Sequence, residues 1–293
     1  MIRDGIDVSQ YQGIIDWETV KRYVDFVIIR AGYGQDIPGQ DDPLFKRNAD
    51  ECTRLGIPFG VYLYSYAQNE TDALSEARHV MRLIKDYKME YPIYLDLEDA
   101  KVGRLPNAQI ERNARVFADE LQRNNYLPGF YANYFWWRTK LTGPLFSRYT
   151  RWVARYADEL GEDASLFDMW QYSDKGFVGG IEGPVDMNYA FRDFPAEIRE
   201  AGLNNFDKNI PQPYSVGDRV SFDRVYISSE STTPLIPYSN EGTITRIVEG
   251  ARNPYLIGDG LGWINENNIL GFVRIENEIK KQWLVLFLYF FGV

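Results

Sequence analysis

Three acidic residues follow a short apolar segment in the first half of the chain. Residues 92–95 have high strand propensity, and Asp96, Glu98 and Asp99 come next. Because side chains alternate along a strand, Asp96 and Glu98 are expected on one face, roughly 6–7 Å apart at the backbone. Carboxyl groups this close perturb each other's proton affinity, and burial raises the pKa of one of them. The spacing predicts the acid and carboxylate that glycoside hydrolysis requires, although acids that cap a helix or face solvent would show the same pattern.

The elements that would position this pair alternate between strands and helices. Strands are predicted at 2–9, 26–31, 58–66, 92–99, 129–133, 151–156, 169–172 and 184–188, and helices from 17 onward and at 43–55, 69–87 and 107–125. Alternation at this spacing is typical of βαβ units. With eight strands, the first five of which alternate with these helices, the predicted fold is α/β: an irregular (β/α)8-like barrel of five β/α units plus three β strands.

Other acids and aromatic residues lie at the ends of further predicted strands. Asp7 ends the first strand, and Asp186 lies in the last. The aromatic residues at other strand ends include Tyr64, Tyr131 and Trp170. Because β/α barrels carry their catalytic groups at the C-terminal ends of the strands, we predict an acidic cleft floor with aromatic walls. The three aromatic side chains are expected to lie against sugar rings.

The composition narrows the class of protein. At 293 residues the chain is long enough for one large domain, or for one large and one small domain. Its net charge of −10 and the absence of a basic patch argue against nucleic acid as a partner. The single cysteine, Cys52, excludes an intramolecular disulfide, and no apolar run is long enough to span a bilayer.

Other chemistries have little support in the sequence. The one histidine, His79, falls in a predicted helix, where we expect a surface or half-buried residue rather than a catalytic or metal-binding one. No glycine-rich phosphate loop of the usual spacing is present. An acidic cluster without carbonyl-rich loops is weak support for a divalent cation, so no metal and no cofactor is predicted.

Four motifs together resemble a known family. GIDVSQYQG at 5–13, YLDLED at 94–99, WQYSD at 170–174 and GPVDMN at 183–188 are similar in order and spacing to glycoside hydrolase family 25, the Chalaropsis-type lysozymes that include many phage endolysins. The resemblance covers residues 1 to about 195. It implies a flattened β/α barrel and N-acetylmuramidase activity on bacterial peptidoglycan. The bond cut would be the β-1,4 bond between N-acetylmuramic acid and N-acetylglucosamine, with retention.

The resemblance also implies roles for the four acids. Glu98 corresponds to the general acid/base and Asp96 to its acidic partner, while Asp7 and Asp186 correspond to flanking carboxylates. Asp96 either attacks the anomeric carbon or orients the acetamido group of the substrate, whose oxygen attacks instead; we favour the second because the substrate carries that group. The flanking carboxylates would tune the pKa of the acid or bind sugar, or else only form hydrogen bonds at the barrel mouth.

Two other functions stay open on the sequence alone. One is a glycan-binding protein that has lost catalysis, and the other is a barrel hydrolase of another N-acetylated glycan such as chitin. Because the first residues contain no apolar signal region, we expect the protein to stay in the host cytoplasm until a phage holin releases it to the cell wall. The sequence makes no prediction of oligomeric state.

The last third of the chain has a different pattern. We predict a catalytic domain at 1–195, a linker at 196–213, a small all-β barrel at 214–275 and an apolar tail of unknown role at 276–293. The segment 214–275 resembles bacterial Src homology 3-like modules, which implies cell-wall binding. Its candidate ligand contacts are Tyr226, Tyr238, Tyr255 and Trp263. A structural or dimerisation role is the alternative for this segment.

Overall fold

The computed structural model describes residues 2–206, 214–258 and 260–273 of the chain. It divides into two compact units, Met1–Ile210 and Pro211–Val293, which are described separately. The apolar tail predicted at 276–293 lies outside the described residues. Within the described residues, no helix is both long enough and apolar enough to cross a membrane.

Eight strands form the barrel of the first unit. They are β1 Arg3–Val8, β2 Phe26–Tyr33, β3 Phe59–Tyr64, β4 Ile93–Asp96, β5 Pro128–Asn133, β6 Thr150–Ala154, β7 Met169–Gly176 and β8 Val185–Ala190. The strands pair in chain order, and β8 closes the barrel against β1. The prediction of a mixed α/β fold built on an eight-stranded barrel is confirmed.

The last strand of the barrel runs against its two neighbours. β1 to β7 are parallel to one another, whereas β8 is antiparallel to both β7 and β1. Only residues 177–184 connect β7 to β8, and a parallel crossover needs about a dozen residues or more. The start of β8 therefore lies at the same barrel mouth as the C-terminal ends of the other strands.

Helices surround most of the barrel. They are α1 Trp17–Val20, α2 Phe45–Leu55, α3 Glu70–Ile84, α4 Asn107–Arg123, α5 Tyr134–Thr139 and α6 Phe194–Ala201. Short 3-10 turns of the first unit lie at Gln10–Gln12, Pro38–Gln40, Val102–Arg104, Phe146–Arg148 and Ala164–Leu166. One α-helix follows each of β1 to β5, but the described chain between β6 and β8 contains only the last of these 3-10 turns. The wall formed by β7 and β8 thus lacks the helical cover of the other strands.

The helix ends follow from local hydrogen bonding. The Asp16 side chain accepts the backbone N–H of Thr19 at 3.3 Å and caps α1. Asn69 caps α3 in the same way, accepting the N–H of Asp72 at 3.0 Å. α2 ends at Gly56, whose φ of 66° is left-handed and favours glycine.

Large aromatic side chains fill the barrel interior. Tyr94 and Trp152 meet there with ring centroids 5.1 Å apart, and Trp152 is only 1% exposed. Truncating a buried tryptophan of this kind to alanine costs about 3–5 kcal/mol of stability. α6 closes the end opposite the mouth, where Phe194 and Ile198 pack on the interior cluster. A second apolar layer lies between the outer face of the strands and the helices.

His79 on α3 is fully buried, so the prediction of a surface or half-buried residue was wrong. Its Nδ1 lies 3.0 Å from the carbonyl oxygen of Gly34, and its Nε2 lies 2.8 Å from Oδ1 of Asp41. Arg82 of the same helix donates to Asp41 at 2.7 Å. His79 and Arg82 therefore hold the segment that follows β2 against α3 by hydrogen bonds. The role of His79 is structural.

The second unit contains a five-stranded antiparallel sheet. Its strands are β9 Arg219–Phe222, β10 Glu241–Ile247, β11 Tyr255–Ile257, β12 Gly262–Ile264 and β13 Ile269–Phe272, in the order β12-β11-β10-β9-β13, with a 3-10 turn at Glu266–Asn268. Tyr255 is fully buried in the small core, so it is not the ligand contact that the sequence predicts. Tyr238 is 82% exposed. Src homology 3-like character stays a prediction for this unit.

Candidate active site

Four carboxyl groups lie together at the barrel mouth. Asp7 projects from β1, Asp96 ends β4 and Asp186 is the second residue of β8. Glu98 lies in the loop two residues beyond β4, not on the strand as the alternation predicts. All four line one cleft. Because β8 is antiparallel, Asp186 reaches the mouth from the beginning of its strand.

Asp7 and Asp186 form one hydrogen-bonded pair. Asp7 is 4% exposed, and its Oδ2 accepts Nε2–H of Gln171 and Nδ2–H of Asn188, each at 2.8 Å. Burial raises the pKa of Asp7, while these hydrogen bonds and one from Asp186 oppose the rise. Burial, and then the charge of Asp7, raise the pKa of Asp186. Asp186 is therefore the protonated member of the pair, and its O–H donates a hydrogen bond to the carboxylate of Asp7.

Gln171 is fixed by two phenol groups. Tyr131 and Tyr156 donate their hydroxyls to its Oε1 at 2.9 and 3.0 Å. With its oxygen occupied in this way, the amide of Gln171 must turn its NH2 group toward Asp7. Tyr131 and Tyr156 thus determine that Gln171 donates its hydrogen bond to Asp7 and does not accept one from it.

Asn188 is held in the same manner by Trp152, whose Nε1–H donates to Oδ1 of Asn188 at 2.8 Å. Sequence reasoning missed both amides, although Gln171 and Asn188 lie inside the WQYSD and GPVDMN motifs. The signal was available, because Asn188 lies two positions from Asp186 and so faces the same side of β8.

Asp96 is buried, with 3% exposure, and its Oδ1 has no hydrogen-bond partner among the residues that the structure describes. Burial, followed by the negative charges of Glu98 and Asp7, raises the pKa of Asp96 well above its ordinary range. Arg30 acts in the opposite direction. The site therefore holds a carboxyl group that the protein itself leaves unsatisfied on one side.

Glu98 differs from the other three acids because its side chain is exposed to solvent. Partial burial, and then the charge of Asp186, raise its pKa above the ordinary glutamate value. Contact with water moderates this shift. Of the four carboxyl groups, Glu98 is thus the one that an incoming molecule reaches most easily.

Aromatic side chains and one cation complete the cleft, which has a volume of about 340 Å³. Tyr11, Tyr62, Tyr64 and Tyr66 line it together with Arg30, which sequence reasoning also missed. The guanidinium carbon of Arg30 lies 5.8 Å from the centre of the Tyr11 ring. The buried Nε of Arg30 has no hydrogen-bond partner within the described part of the chain. The cleft is therefore mostly polar, with flat rings along its side.

The three aromatic residues predicted to bind sugar occupy different places. Tyr64 is half-buried and lines the cleft with the acids. Tyr131 is 8% exposed and lies inside the barrel, with its ring centroid 4.5 Å from that of Trp152. Trp170 belongs to the apolar layer outside the barrel, and its Nε1–H donates to the carbonyl of Arg155 at 2.7 Å. Only Tyr64 shares the cleft with the acids.

Chemically, the cleft can deliver a proton from Glu98 and stabilise positive charge with the neighbouring carboxylates. Among residues 2–206, 214–258 and 260–273, no group of three or more His, Cys, Asp or Glu side chains has an arrangement that would hold a metal ion. Burial and mutual charge raise the pKa values of all four acids, which is typical of acid–base sites.

Comparison with known proteins gives a consistent family match. The sequence model of glycosyl hydrolases family 25 matches residues 6–181, a range that contains Asp7, Asp96 and Glu98. The uncharacterized protein YegX of Escherichia coli is 31% identical over 192 residues, covering 63% of this chain and 68% of YegX. The autolytic lysozyme of Clostridium acetobutylicum is 29% identical over 185 residues, covering 63% of this chain and 54% of that protein.

A solved structure shows the same fold. The modular autolysin LytC of Streptococcus pneumoniae, in complex with a synthetic peptidoglycan ligand, is 33% identical with a TM-score of 0.58. The match covers 65% of this chain and 47% of that chain. The chain therefore spans about half the length of LytC and of the autolytic lysozyme.

Proposed function

The chain belongs to glycosyl hydrolases family 25, and from this membership we propose that it is a peptidoglycan hydrolase of the lysozyme type. The bond cut is the β-1,4 bond between N-acetylmuramic acid and N-acetylglucosamine, with retention. The observation that carries the proposal is the exposed Glu98 beside the buried Asp96 in one cleft with the Asp7–Asp186 pair. The autolytic lysozyme and the peptidoglycan-bound LytC among the similar proteins support the substrate class.

Glu98 is the general acid/base in this proposal. An acid must be protonated when the substrate binds and must reach the glycosidic oxygen. The raised pKa of Glu98 favours the first condition, and its exposure at the cleft favours the second. After the bond breaks, the same carboxylate accepts a proton from the water that completes hydrolysis.

Asp96 acts at the anomeric carbon or the acetamido group of the sugar, whereas Glu98 acts on the glycosidic oxygen. Its unpartnered Oδ1 is an acceptor for an N–H or O–H group that the substrate brings. An acetamido N–H bound there would turn the acetamido oxygen toward the anomeric carbon, and this substrate-assisted route is the one we favour over direct attack by Asp96. Either route uses the charged form of Asp96, which Arg30 favours against burial and the charges of Glu98 and Asp7.

The Asp7–Asp186 pair sets the charge around the acid. Because the two carboxyl groups share a proton, they place one negative charge near the cleft instead of two. Tyr131 supports the pair from below through Gln171. Tyr64 offers its ring to a sugar at the cleft side. We thus assign Tyr131 a positioning role and Tyr64 a contact role.

For the second unit we propose binding to the cell wall. Ile227, Ile236 and Tyr238 are between 76% and 93% exposed on the segment that joins β9 to β10. Exposed apolar side chains mark a recognition surface where they form one patch, so these three are the candidate contacts. Tethering by this unit would raise the local concentration of the first unit on an insoluble wall without changing its chemistry. Phage origin and release by a holin stay predictions; a protein that left intact producing cells unaided would contradict holin dependence.

The test is turbidity clearing of purified bacterial walls by the wild type and by Glu98→Gln. The glutamine keeps the shape of the side chain but has no proton to transfer, so we expect a loss of about 100-fold or more. Asp99→Asn is the matched control, because Asp99 is a nearby acid whose side chain only accepts backbone N–H groups of the following turn.

New reducing ends from N-acetylmuramic acid, produced by the wild type and not by Glu98→Gln, are the supporting result. Equal clearing by both proteins would remove Glu98 from the role of acid. Wall binding without clearing by the wild type would favour a glycan-binding protein. Cleavage of chitin in preference to walls would favour a hydrolase of another N-acetylated glycan.

A further inference from the structure

Three aromatic side chains cover the outside of the barrel where it has no helix. Trp170 and Tyr172 project outward from β7, and Tyr189 projects outward from β8. The rings of Tyr172 and Tyr189 stack at 4.4 Å with an interplanar angle of 17°, and Trp170 lies 5.8 and 5.9 Å from them. Since Tyr172 and Tyr189 are only half-buried, this wall presents flat aromatic surface to solvent.

These rings form the floor of a depression of about 490 Å³, which we call the outer groove. Tyr156, Ala157, Asp158 and Ser173 complete its lining. The volume falls within the roughly 300–1,000 Å³ of small-molecule sites. Hydroxyl and carboxylate groups therefore surround the aromatic floor, a combination that suits a ligand with both an apolar face and many hydroxyl groups.

Tyr156 connects the outer groove to the candidate active site through a chain of hydrogen bonds. This residue is 56% exposed and lines the groove, and its hydroxyl donates to Gln171, which in turn donates to Asp7. Burial, and then the charges of nearby acids that include Asp186, raise the pKa of the Tyr156 hydroxyl. Two side chains, Tyr156 and Gln171, thus link the groove to Asp7.

We propose that the outer groove binds a further part of the glycan strand whose cleavage is proposed above, on which this inference rests. Neutral N-acetylated sugar rings stack on Tyr172 and Tyr189, and their hydroxyl and acetamido groups hydrogen-bond to Asp158 and Ser173. Tyr156, which lines the groove and is hydrogen-bonded to Gln171 beside Asp7, is the residue at which the strand would pass from the acids to these rings. Trp170, predicted from the sequence as a sugar contact, serves here as the largely buried floor, away from the acids.

The experiment measures binding of a β-1,4-linked hexamer of N-acetylglucosamine by calorimetry. The protein is the full chain carrying Glu98→Gln, so that the ligand is not consumed. Added to this background, Tyr172→Ser with Tyr189→Ser removes both exposed rings, and Ser173→Trp fills the groove without removing core. Phe177→Ser is the matched control, since Phe177 follows β7, is 82% exposed and does not line the groove.

We expect the double serine variant and Ser173→Trp to weaken hexamer binding by at least about fivefold, a typical effect of truncating a contact aromatic. Phe177→Ser and the ring-preserving pair Tyr172→Phe with Tyr189→Phe should bind like the parent. Unchanged binding by Ser173→Trp would overturn the proposal. This test stands even if the double serine variant fails to fold. A dimer that Ser173→Trp dissociates while leaving hexamer binding intact would assign the groove to a second copy of the chain instead.

The outcomes separate this inference from the proposed function. Wall clearing by the wild type without any hexamer binding by the Glu98→Gln protein would overturn the groove and leave the hydrolase intact. Alternatively, the wild type clears no walls and yields no reducing ends, while hexamer binding by the Glu98→Gln protein depends on Tyr172 and Tyr189. That result would support the groove and overturn the hydrolase.

Discussion

Asp7 and Asp186 are directly paired residues in the antiparallel register of β1 and β8. The pairing brings together two carboxyl groups from opposite ends of the barrel sequence, and it exists only because β8 reverses direction. Two acids so close cannot both ionise readily, so they share a proton. The two amides that donate to Asp7 make its carboxylate the stable partner.

Replacing Asn188 by leucine should damage this arrangement. The change removes a hydrogen bond to the carboxylate of Asp7 and leaves the buried indole N–H of Trp152 without an acceptor. An unsatisfied buried donor costs about 1–3 kcal/mol, so the free energy of unfolding in a denaturant titration should fall by at least this amount. Tyr156→Phe is the control, because Gln171 keeps its second donor, Tyr131, and the loss should stay near 1 kcal/mol. Equal stability of Asn188→Leu and wild type would contradict the network.

The alkaline limb of the activity profile should report Glu98. Partial burial and the charge of Asp186 raise the pKa of Glu98, and the acid form is the one that donates. Activity should therefore persist above the ordinary glutamate pKa and fall as pH rises through the raised value. The measurement is kcat/KM against pH on solubilised wall fragments, with Asp99→Asn as the variant whose limb should not move. A limb that lies at the ordinary glutamate pKa would contradict the assignment.

Much of the first unit was predictable because its strands and caps are encoded locally. The strand runs between Phe26 and Asn133 and the cap at Asp16 follow from propensity and short-range hydrogen bonding. The direction of β8 was not predictable from periodicity, since it depends on how few residues join it to β7. The sequence predicts a strand over 92–99, whereas β4 ends at Asp96. The alternating pattern continues through the acidic residues, so it does not reveal where the strand stops.

The positions of Trp170 and His79 show a different limit. Strands of a barrel are buried on both faces, so Trp170 and its neighbour Gln171 carry no alternation that tells inside from outside. His79 lies beside the buried stripe of α3, and it becomes buried only because the segment after β2 folds over that flank. In both cases a tertiary contact, absent from local sequence, decides the environment.

Asp96→Asn should separate activity from stability. The substitution removes the negative charge that burial and the neighbouring acids disfavour, so the free energy of unfolding at neutral pH should equal or exceed that of the wild type. Activity should fall by about 100-fold or more, since asparagine cannot carry the charge that both proposed routes use. Denaturant titration and wall clearing give the two readouts; a variant that loses stability and activity together would indicate a structural role.

The nucleophile can be identified with the substrate. If Asp96 orients the acetamido group, glycan strands whose acetamido groups have been converted to free amines should be cleaved at least about 100-fold more slowly than intact strands. If Asp96 attacks directly, the modified strands should be cleaved at a comparable rate. The comparison uses reducing-end release from matched preparations, and binding to both preparations is measured with Glu98→Gln to exclude a difference in affinity.

Glu76 predicts a pH dependence of stability that is separate from catalysis. It is fully buried on α3 and accepts hydrogen bonds from Ser65 Oγ and from the backbone N–H of Tyr66, both at 2.7 Å. Burial raises its pKa from 4.5 to about 7, against those hydrogen bonds. Because the folded state then binds the proton more tightly than the unfolded state, stability must fall as pH rises between these values.

The expected loss is about 3 kcal/mol between pH 4 and pH 8, at 1.36 kcal/mol for each unit of pKa. Glu76→Gln keeps an acceptor for the Tyr66 N–H and does not titrate, so its unfolding free energy should lack this decline. Glu70→Gln is the control, because Glu70 is an exposed acid at the start of the same helix whose pKa is lowered, first by its own backbone N–H. Parallel pH profiles for wild type and Glu76→Gln would show that the buried carboxyl is charged throughout, with Ser65 and Tyr66 sufficient to hold that charge.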